Sequence, residues 1–544
     1  MPSATDTIGL LQTVLRAGLI APMRPDRYLR MGAAMRREGT TPTLGFAAAA
    51  QRCPNRPGLV DELGTLTWRQ LHERCDAFAA ALQALPGGTP KLIGIMCRNH
   101  RGFITALAAA HRVGADLLLL NTSFAGPALA EVIAREGVNA VIYDEEFADT
   151  IDRALAEKPR VTRILGWTEQ PPAATDLAVE TLADTHAGQR PQPADRKSRL
   201  ILLTSGTTGT PKGAQPSSGG GPNELKAVLD RIPWRAEQAT VIMAPMFHAW
   251  GFSQLVFSAL MACTIVTRRK FDPEAALQLV DRHRATGFVV VPVMFDRIMD
   301  LPDEVLDRYP CRSLQFATAS GSRMRPDVVV KFMDRFGEVI YNNYNATEAG
   351  MVATATPTDL RAAPDTAGKP VQGTQIRILD DAGTELAAGQ TGRIFVHSPT
   401  LFDGYTSGAG KTFHDGFMAS GDIGFLDGVG RLFVVGRDDE MIVSGGENVY
   451  PIEVEKVLAS HPDVEEAAVL GVDDEQYGQR LVAFVVLRDR ASATPETLRA
   501  HVRDNLANYK VPREIVLLDE LPRGGTGKIA RRDLQAILRA SGDS

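Results

Sequence analysis

Cysteine is scarce in this chain. Its 544 residues include five, at positions 53, 75, 97, 263 and 311, odd in number and never closely spaced. That pattern excludes a disulfide-built scaffold and leaves no cysteine pair for structural zinc. It fits reduced, buried thiols in a cytoplasmic protein. Long apolar runs are missing too: no segment reaches the roughly 18 consecutive apolar residues that cross a bilayer. No basic stretch precedes an apolar one near the first residues, so a secretory signal is not expected. Excess positive charge is absent. A net charge of −6 argues against binding nucleic acid by counterion release, and Arg268-Arg269-Lys270 reads as a solvated turn. The phosphate-loop pattern G-x-x-x-x-G-K-[ST] also fails, because Pro211 and Gly213 stand where it needs Gly and Ser or Thr.

What is present is ordinary globular composition, 44% hydrophobic and 23% charged. A chain this long is expected to build more than one core. From about residue 45 to 365, helical patterns alternate with short apolar runs, an α/β signature. The patterning predicts helices over Trp68–Leu85 and Phe103–Val113, and buried strands over Leu92–Met96, Leu117–Leu120, Ala140–Tyr143, Val241–Met243 and Val289–Val291. Between Ala367 and Val435 strands shorten and turns multiply (Asp380-Asp381-Ala382-Gly383, Asp427-Gly428), which suggests a small antiparallel or barrel-like region. After Arg437-Asp438-Asp439-Glu440 comes a compact α+β stretch of about one hundred residues. Ser217-Ser218-Gly219-Gly220-Gly221-Pro222 reads as a loop.

Near the start, Ile8, Leu11, Val14, Leu15 and Leu19 fall at helical spacing with Arg16 as the single charge between Thr7 and Ala21. The favoured reading is a helix packed on the body of the protein or against a second copy. The alternative is an interfacial helix, with residues 8–20 in peripheral contact with a membrane.

The richest stretch is Leu203-Thr204-Ser205-Gly206-Thr207-Thr208-Gly209-Thr210-Pro211-Lys212-Gly213, which follows the apolar Leu200-Ile201-Leu202. Glycines let backbone N–H groups approach an anion, hydroxyls add donors and Lys212 adds charge, a combination suited to a polyphosphate. Farther on, Tyr344 could stack on a purine, and Glu348 could hold Mg²⁺, which prefers one or two carboxylates with phosphate oxygens. In Ser420-Gly421-Asp422 a lone carboxylate is placed to accept from ribose hydroxyls. Each of these alone is also what an ordinary loop contains.

In order, they resemble the adenylate-forming superfamily of acyl- and aryl-CoA synthetases, adenylation domains and luciferases, over roughly residues 45 to 535. Thr204–Gly213 resembles its phosphate loop, and Pro245-Met246-Phe247-His248-Ala249-Trp250-Gly251 its aromatic/His motif. Ala319-Ser320-Gly321-Ser322 is similar to the adenine-binding turn and Tyr344–Glu348 to the aromatic-x-x-Thr-Glu motif. Ser420-Gly421-Asp422 matches the ribose-binding segment. Gly436–Pro451 is similar to the hinge and the core of the C-terminal domain, and Pro522-Arg523-Gly524-Gly525-Thr526-Gly527-Lys528 to the catalytic-lysine loop.

The resemblance implies an α/β fold: a large N-terminal domain of two α/β sheet subdomains plus a small β-barrel, and a smaller mobile α+β C-terminal domain. The implied boundaries are 1–44 for an N-terminal extension with an amphipathic helix, 45–437 for the ATP- and acid-binding domain and 438–544 for the mobile domain. The implied reaction uses ATP, Mg²⁺ and coenzyme A: a carboxylate attacks the α-phosphate, pyrophosphate leaves, and the coenzyme A thiol then displaces AMP. Positive charge and oriented donors must offset the repulsion between two anions in the first step. By resemblance Lys528 bridges carboxylate and α-phosphate from a flexible loop. Thr204, Ser205, Gly206, Thr207, Thr208, Gly209 and Lys212, with Glu348 and Mg²⁺, hold the leaving phosphates. Thr347 adds a hydroxyl, and His248 gates the acid pocket. Ser320, Gly321, Ser322 and Tyr344 receive adenine; Asp422 and Arg437 anchor ribose. Asp439 is the hinge, and Ser444, Gly445 and Gly446 line the pantetheine channel.

Two departures stand out. Asn345 occupies a position usually held by glycine and is expected to keep the turn by tolerating a left-handed φ. Ser420 replaces a more usual threonine. For the acid, Phe247 is followed by His248 rather than by the aspartate that would receive an ammonium group, which disfavours α-amino acids. The expected pocket draws on Phe247, His248, Trp250, Gly251, Val291–Met294, Ala317 and Ala319, an apolar lining suited to a medium- or long-chain fatty acid, with an aryl acid next. Trp250 either caps a short pocket or swings as the gate of a long one. No insertion of the kind found in fatty acyl-AMP ligases lies between Asp365 and Gly436, so coenzyme A leads over a carrier protein. A non-catalytic nucleotide or acyl-CoA binder would have no need of Lys528.

Overall fold

A computed structural model describes residues 4–542 except 40, 125, 174, 205–211, 216–220, 403, 407–409, 445–446, 475–477, 490 and 526. The chain divides into two compact units, Met1–Thr374 with Ser398–Gly410, and Gln375–His397 with Lys411–Ser544.

The first unit is built on two sheets. In the nine-stranded sheet the order is Lys369–Pro370, Gly350–Ala355, Ile340–Ala346, Phe316–Ser320, Gly287–Val290, Ala239–Ile242, Thr264–Val266, Pro57–Asp61 and Gly64–Thr67. Its interior strands are parallel and its edges antiparallel. The seven-stranded sheet runs Gly404–Tyr405, Lys212–Gln215, Leu200–Thr204, Asp116–Leu119, Leu92–Met96, Ala140–Asp144 and Thr162–Trp167. Runs such as Phe288-Val289-Val290 and Ala140-Val141-Ile142 are fully buried, which is why they are continuously apolar: parallel strands here are covered on both faces. One hydrophobic core contains Leu59 and Val241 of the first sheet, Ile93 and Leu117 of the second, and Phe78, Phe103 and Leu107 of two helices.

Those helices are the expected ones with sharper ends. Trp68–Gln83 starts at a capping box between Thr67 and Gln70. Arg101–Arg112 starts two residues earlier than its apolar pattern, because the His100 side chain accepts from the Gly102 N–H. His100 also bonds Asp144 at 2.8 Å, and Asp144 accepts from the Arg98 N–H at 2.9 Å. With Cys97 these residues form a buried Cys–His–Asp group whose histidine and carboxylate hold the start of the helix to strand Ala140–Asp144.

The second unit holds two separate sheets. One is antiparallel, as the turn-rich sequence suggests: Gln375–Leu379, Gly392–His397, Phe417–Leu426 and Phe413–His414, with Leu432–Arg437 also on Phe417–Leu426. The other is α+β, with the long hairpin Val464–Asp474 and Gly478–Leu487, a parallel strand Glu514–Leu518, and helices Pro451–Ala459, Pro495–Asn505 and Arg531–Gly542. The fold is α/β with a large N-terminal domain of sheets and a smaller C-terminal domain.

Candidate active site

In the first unit the site residues collect where strands end. Strand Leu200–Thr204 pairs antiparallel with Lys212–Gln215 in the register Thr204↔Lys212. The phosphate-binding candidate therefore joins two antiparallel strands, unlike a Walker loop, which opens a helix. Ser205, Gly206, Thr207, Thr208 and Gly209 lie outside the described residues. Gly213 is required by a close approach: a Cβ there would stand 2.7 Å from Thr406 Oγ1, and the Thr406 N–H bonds the Gly213 carbonyl at 2.8 Å.

That approach places Tyr405, which sequence reasoning missed, between two expected residues. Its hydroxyl bonds Glu348 Oε1 at 2.5 Å, and Lys212 Nζ lies 5.6 Å from its ring centroid. Glu348 and Thr347 are half-buried in the turn that follows strand Ile340–Ala346. The same turn is tied down by Phe402 N–H to the Glu348 carbonyl at 2.9 Å, and by Ser398 and Thr400 hydroxyls to the Ala349 carbonyl. Only the spacing of Gly404-Tyr405 from the main motifs was visible in sequence, and spacing does not report pairing.

Strands Phe316–Ser320 and Ile340–Ala346 are parallel neighbours in the register Ser320↔Asn343, so the adenine-turn candidate and Tyr344 leave adjacent strand ends, the usual ligand position of an α/β sheet. Ser320 is buried; Gly321 turns the chain with φ +105, and Ser322 is exposed. Asn343 locks the two strands, donating to Thr318 Oγ1 and the Ala319 carbonyl and accepting from Thr354 Oγ1. The expected left-handed Asn345 is a correction. It is not among the non-glycine residues with positive φ; the ladder shifts register between Tyr344 and Asn345, with Val352 the extra residue on the partner strand.

His248 caps helix Ala249–Leu260 by position, half-buried. Asn99, reaching from the other sheet, donates to the Ala244 carbonyl at 2.9 Å and accepts from the Met246 N–H at 2.8 Å, which fixes the turn before His248. Trp250 is buried with its indole N–H on the Val290 carbonyl at 2.8 Å. Gly251 admits no side chain, since a Cβ would meet the Pro245 carbonyl oxygen at 2.2 Å. Phe247, Val291, Met294, Ala317 and Ala319 are all buried and carry no charge.

In the second unit, Asp422 and Arg437 face each other across paired strands, with Arg437 Nη1 3.3 Å from Asp422 Oδ1. Gly421, at φ +86, leaves room for that guanidinium, 3.3 Å from where its Cβ would sit. The Ser420 hydroxyl bonds the Ile394 carbonyl and accepts from the Asp422 N–H, so the hydroxyl kept from the usual threonine orients the aspartate segment. Asp439 lies in the 3₁₀ turn Asp438–Glu440 that joins the two sheets of this unit. Ser444 ends a strand paired Ser444↔Glu447; Gly445 and Gly446 lie outside the described residues. Lys528 is half-buried in a closed loop rather than an open one. The Gly524 N–H bonds the Lys528 carbonyl, the Gly527 N–H bonds the Gly524 carbonyl, and Arg523, ion-paired with Glu466, donates to the Gly527 carbonyl.

Comparison with known proteins follows the same layout. The family model described as AMP-binding enzyme matches residues 46–406, and that of the AMP-binding enzyme C-terminal domain matches 453–528. Indoleacetate–CoA ligase of Aromatoleum aromaticum is 30% identical over 481 residues, 87% of this chain and 93% of its own. A medium/long-chain-fatty-acid–CoA ligase of Mycobacterium tuberculosis is 29% identical over 512 residues, 90% of this chain and 89% of its own. The solved o-succinylbenzoate CoA synthetase of Bacillus subtilis, in complex with its acyl-adenylate intermediate, is similar with TM-score 0.75 and 26% identity, covering 90% of this chain and 97% of that one.

Proposed function

The chain belongs to the AMP-binding enzyme family, and from that premise we propose that it joins a medium- or long-chain fatty acid to coenzyme A. The coarser activity is that of an ATP-dependent, AMP-forming acid–CoA ligase. The observation that carries the nucleotide half is Tyr405, with Glu348 on its hydroxyl and Lys212 near its ring face. A carboxylate and an ammonium held by one side chain suit a Mg²⁺-bound polyphosphate. Glu348, whose carboxylate offers hard oxygen ligands, fits Mg²⁺, which when bound would neutralise charge on the departing pyrophosphate.

In the first step a carboxylate oxygen attacks the α-phosphorus, and the bond to the β-phosphate bridging oxygen breaks. Lys528 offsets the charge on both anions, while Lys212 and the 204–209 segment retain the leaving group. Asp422 and Arg437 hold the ribose. In the second step the coenzyme A sulfur attacks the acyl carbon, the bond to AMP breaks and the thiol proton is released. Ser444, Gly445 and Gly446 line the thiol's path, and the turn at Asp439 is the pivot between the two steps.

The apolar, uncharged lining supports a fatty acid. A second reading, an aryl or arylalkyl acid, is favoured by the Trp250–Val290 hydrogen bond, which holds the indole as a wall. Consumption of free coenzyme A thiol, measured across straight-chain acids from short to long and several aryl acids, separates them. Turnover peaking at medium or long chains supports the first; turnover confined to aromatic acids overturns it. No acid-dependent pyrophosphate release with any acid would leave a non-catalytic binder.

A further inference from the structure

The N-terminal segment forms two helices, α1 (Ala4–Arg16) and α2 (Pro25–Glu38). It is firmly attached. The Ala17 carbonyl accepts from the Ala236 N–H at 2.8 Å, and the buried Arg52 donates to the carbonyls of Gly18 and Leu19 while pairing with Glu237. The Thr13 hydroxyl bonds Asp230, and Ala17 packs with Val228, Ile232 and Trp234. The packed reading of the helix therefore holds for one face.

The other face is not covered by the described residues. Twelve large hydrophobic residues are exposed among the described residues, and seven of them, Ile8, Leu11, Leu15, Ile20, Tyr28, Leu29 and Met35, fall in this one segment. Ile8 is 58% exposed and Leu29 76%. Ile8, Leu11 and Leu15 share one stripe of α1 by spacing.

The charge around them is predominantly positive. Residues 1–39 hold six arginines and three acids in a chain whose net charge is −6. Arg16, Arg24, Arg30, Arg36 and Arg37 are exposed. Two of the three acids are already engaged, Asp26 with Arg24 and Arg30, and Glu38 with Arg112.

We propose that α1 and α2 dock the enzyme on an anionic lipid bilayer, the exposed aliphatic side chains entering the acyl boundary and the arginines meeting lipid phosphates. Local positive charge on an acidic protein is the complement of a negatively charged surface, and it does not favour a second copy, which would bring arginines against arginines. The docking stands on this surface and not on which acid is activated, so its test reads lipid binding alone.

The full chain is mixed with vesicles of phosphatidylcholine plus phosphatidylglycerol, or of phosphatidylcholine alone, and floated on a density gradient. It is expected to float with the anionic vesicles and not with the neutral ones, and to be released by high salt. The triple variant Leu11→Gln, Leu15→Gln, Leu29→Gln should stay at the bottom, and Arg36→Gln with Arg37→Gln should bind about tenfold more weakly. Circular dichroism like the parent's, together with an unchanged rate of thiol consumption with a water-soluble acid, verifies that each variant is folded. The proposal is overturned by failure to float with anionic vesicles, by variants that float as the parent does, or by a sedimenting dimer that the triple variant converts to monomer.

Discussion

The Tyr405 hydroxyl bonds Glu348 Oε1 at 2.5 Å while Lys212 Nζ lies 5.6 Å from the centre of the same ring. Lys212 and Glu348, 136 positions apart by their numbers and proposed above to hold the phosphates and the metal ion, thus meet at one side chain.

Removing the carboxylate by Glu348→Gln is expected to lower the rate of acid-dependent pyrophosphate release by about 10²–10³ and to weaken its dependence on Mg²⁺ concentration. Tyr405→Phe keeps the ring beside Lys212 and loses only the hydroxyl. It should cost about tenfold, seen chiefly as a higher KM for Mg·ATP. An unaltered Mg²⁺ dependence in the glutamine variant refutes the metal role.

Lys528→Ala should abolish adenylation and spare thioester formation from pre-made acyl-adenylate, because only the first step brings two anions together. Arg523→Ala frees the Gly527 carbonyl and the Glu466 carboxylate without removing the lysine. An intermediate loss confined to the same half-reaction is expected, and equal loss in both halves would count against a role for the loop closure.

Trp250→Phe removes the donor to the Val290 carbonyl. If the indole is a fixed wall of the acid pocket, the ratio of kcat/KM for longer over shorter acids should rise about tenfold. An unchanged chain-length profile places the wall elsewhere.

Acid should destabilise the first unit before its carboxylates titrate. Both ring nitrogens of His111 are buried without partners, and burial lowers its pKa to about 4. Burial, then the charge of Arg112, lowers His72 to about 3. These folded-state values lie below the ordinary value of 6.5, so the unfolded chain binds the protons first. The contribution is complete above pH 6.5 and is lost as pH falls toward 4, about 1–2 kcal/mol per histidine by pH 5. Melting curves from pH 7 to 5 should show the decline, and His111→Leu should remove about half of it, leaving the His72 share.

Much of this was legible in the residues. The apolar runs at Leu92–Met96 and Ala140–Tyr143 became strands because fully buried parallel strands must be continuously apolar. The order of motifs from Thr204 to Lys528 identified the family without any contact information. Boundaries were less visible: helix Arg101–Arg112 starts where His100 happens to cap it, not where its apolar pattern begins. Asn345 was misjudged because its backbone conformation follows from its pairing with a distant strand, whose register shifts beside it, and not from its own residue type.

By itself, then, the sequence determined the strand and helix periods, the order of the family's motifs and the absence of charge from the expected acid-pocket residues, since these are properties of side chains and their spacing. Only the tertiary structure decided that Tyr405 stands between Glu348 and Lys212, that Asn99 from one sheet fixes the turn before His248 on the other, and that one stripe of α1 stays in solvent. Each of those depends on chain segments far apart in sequence being brought to within a few ångströms, and no local pattern encodes which distant segment arrives.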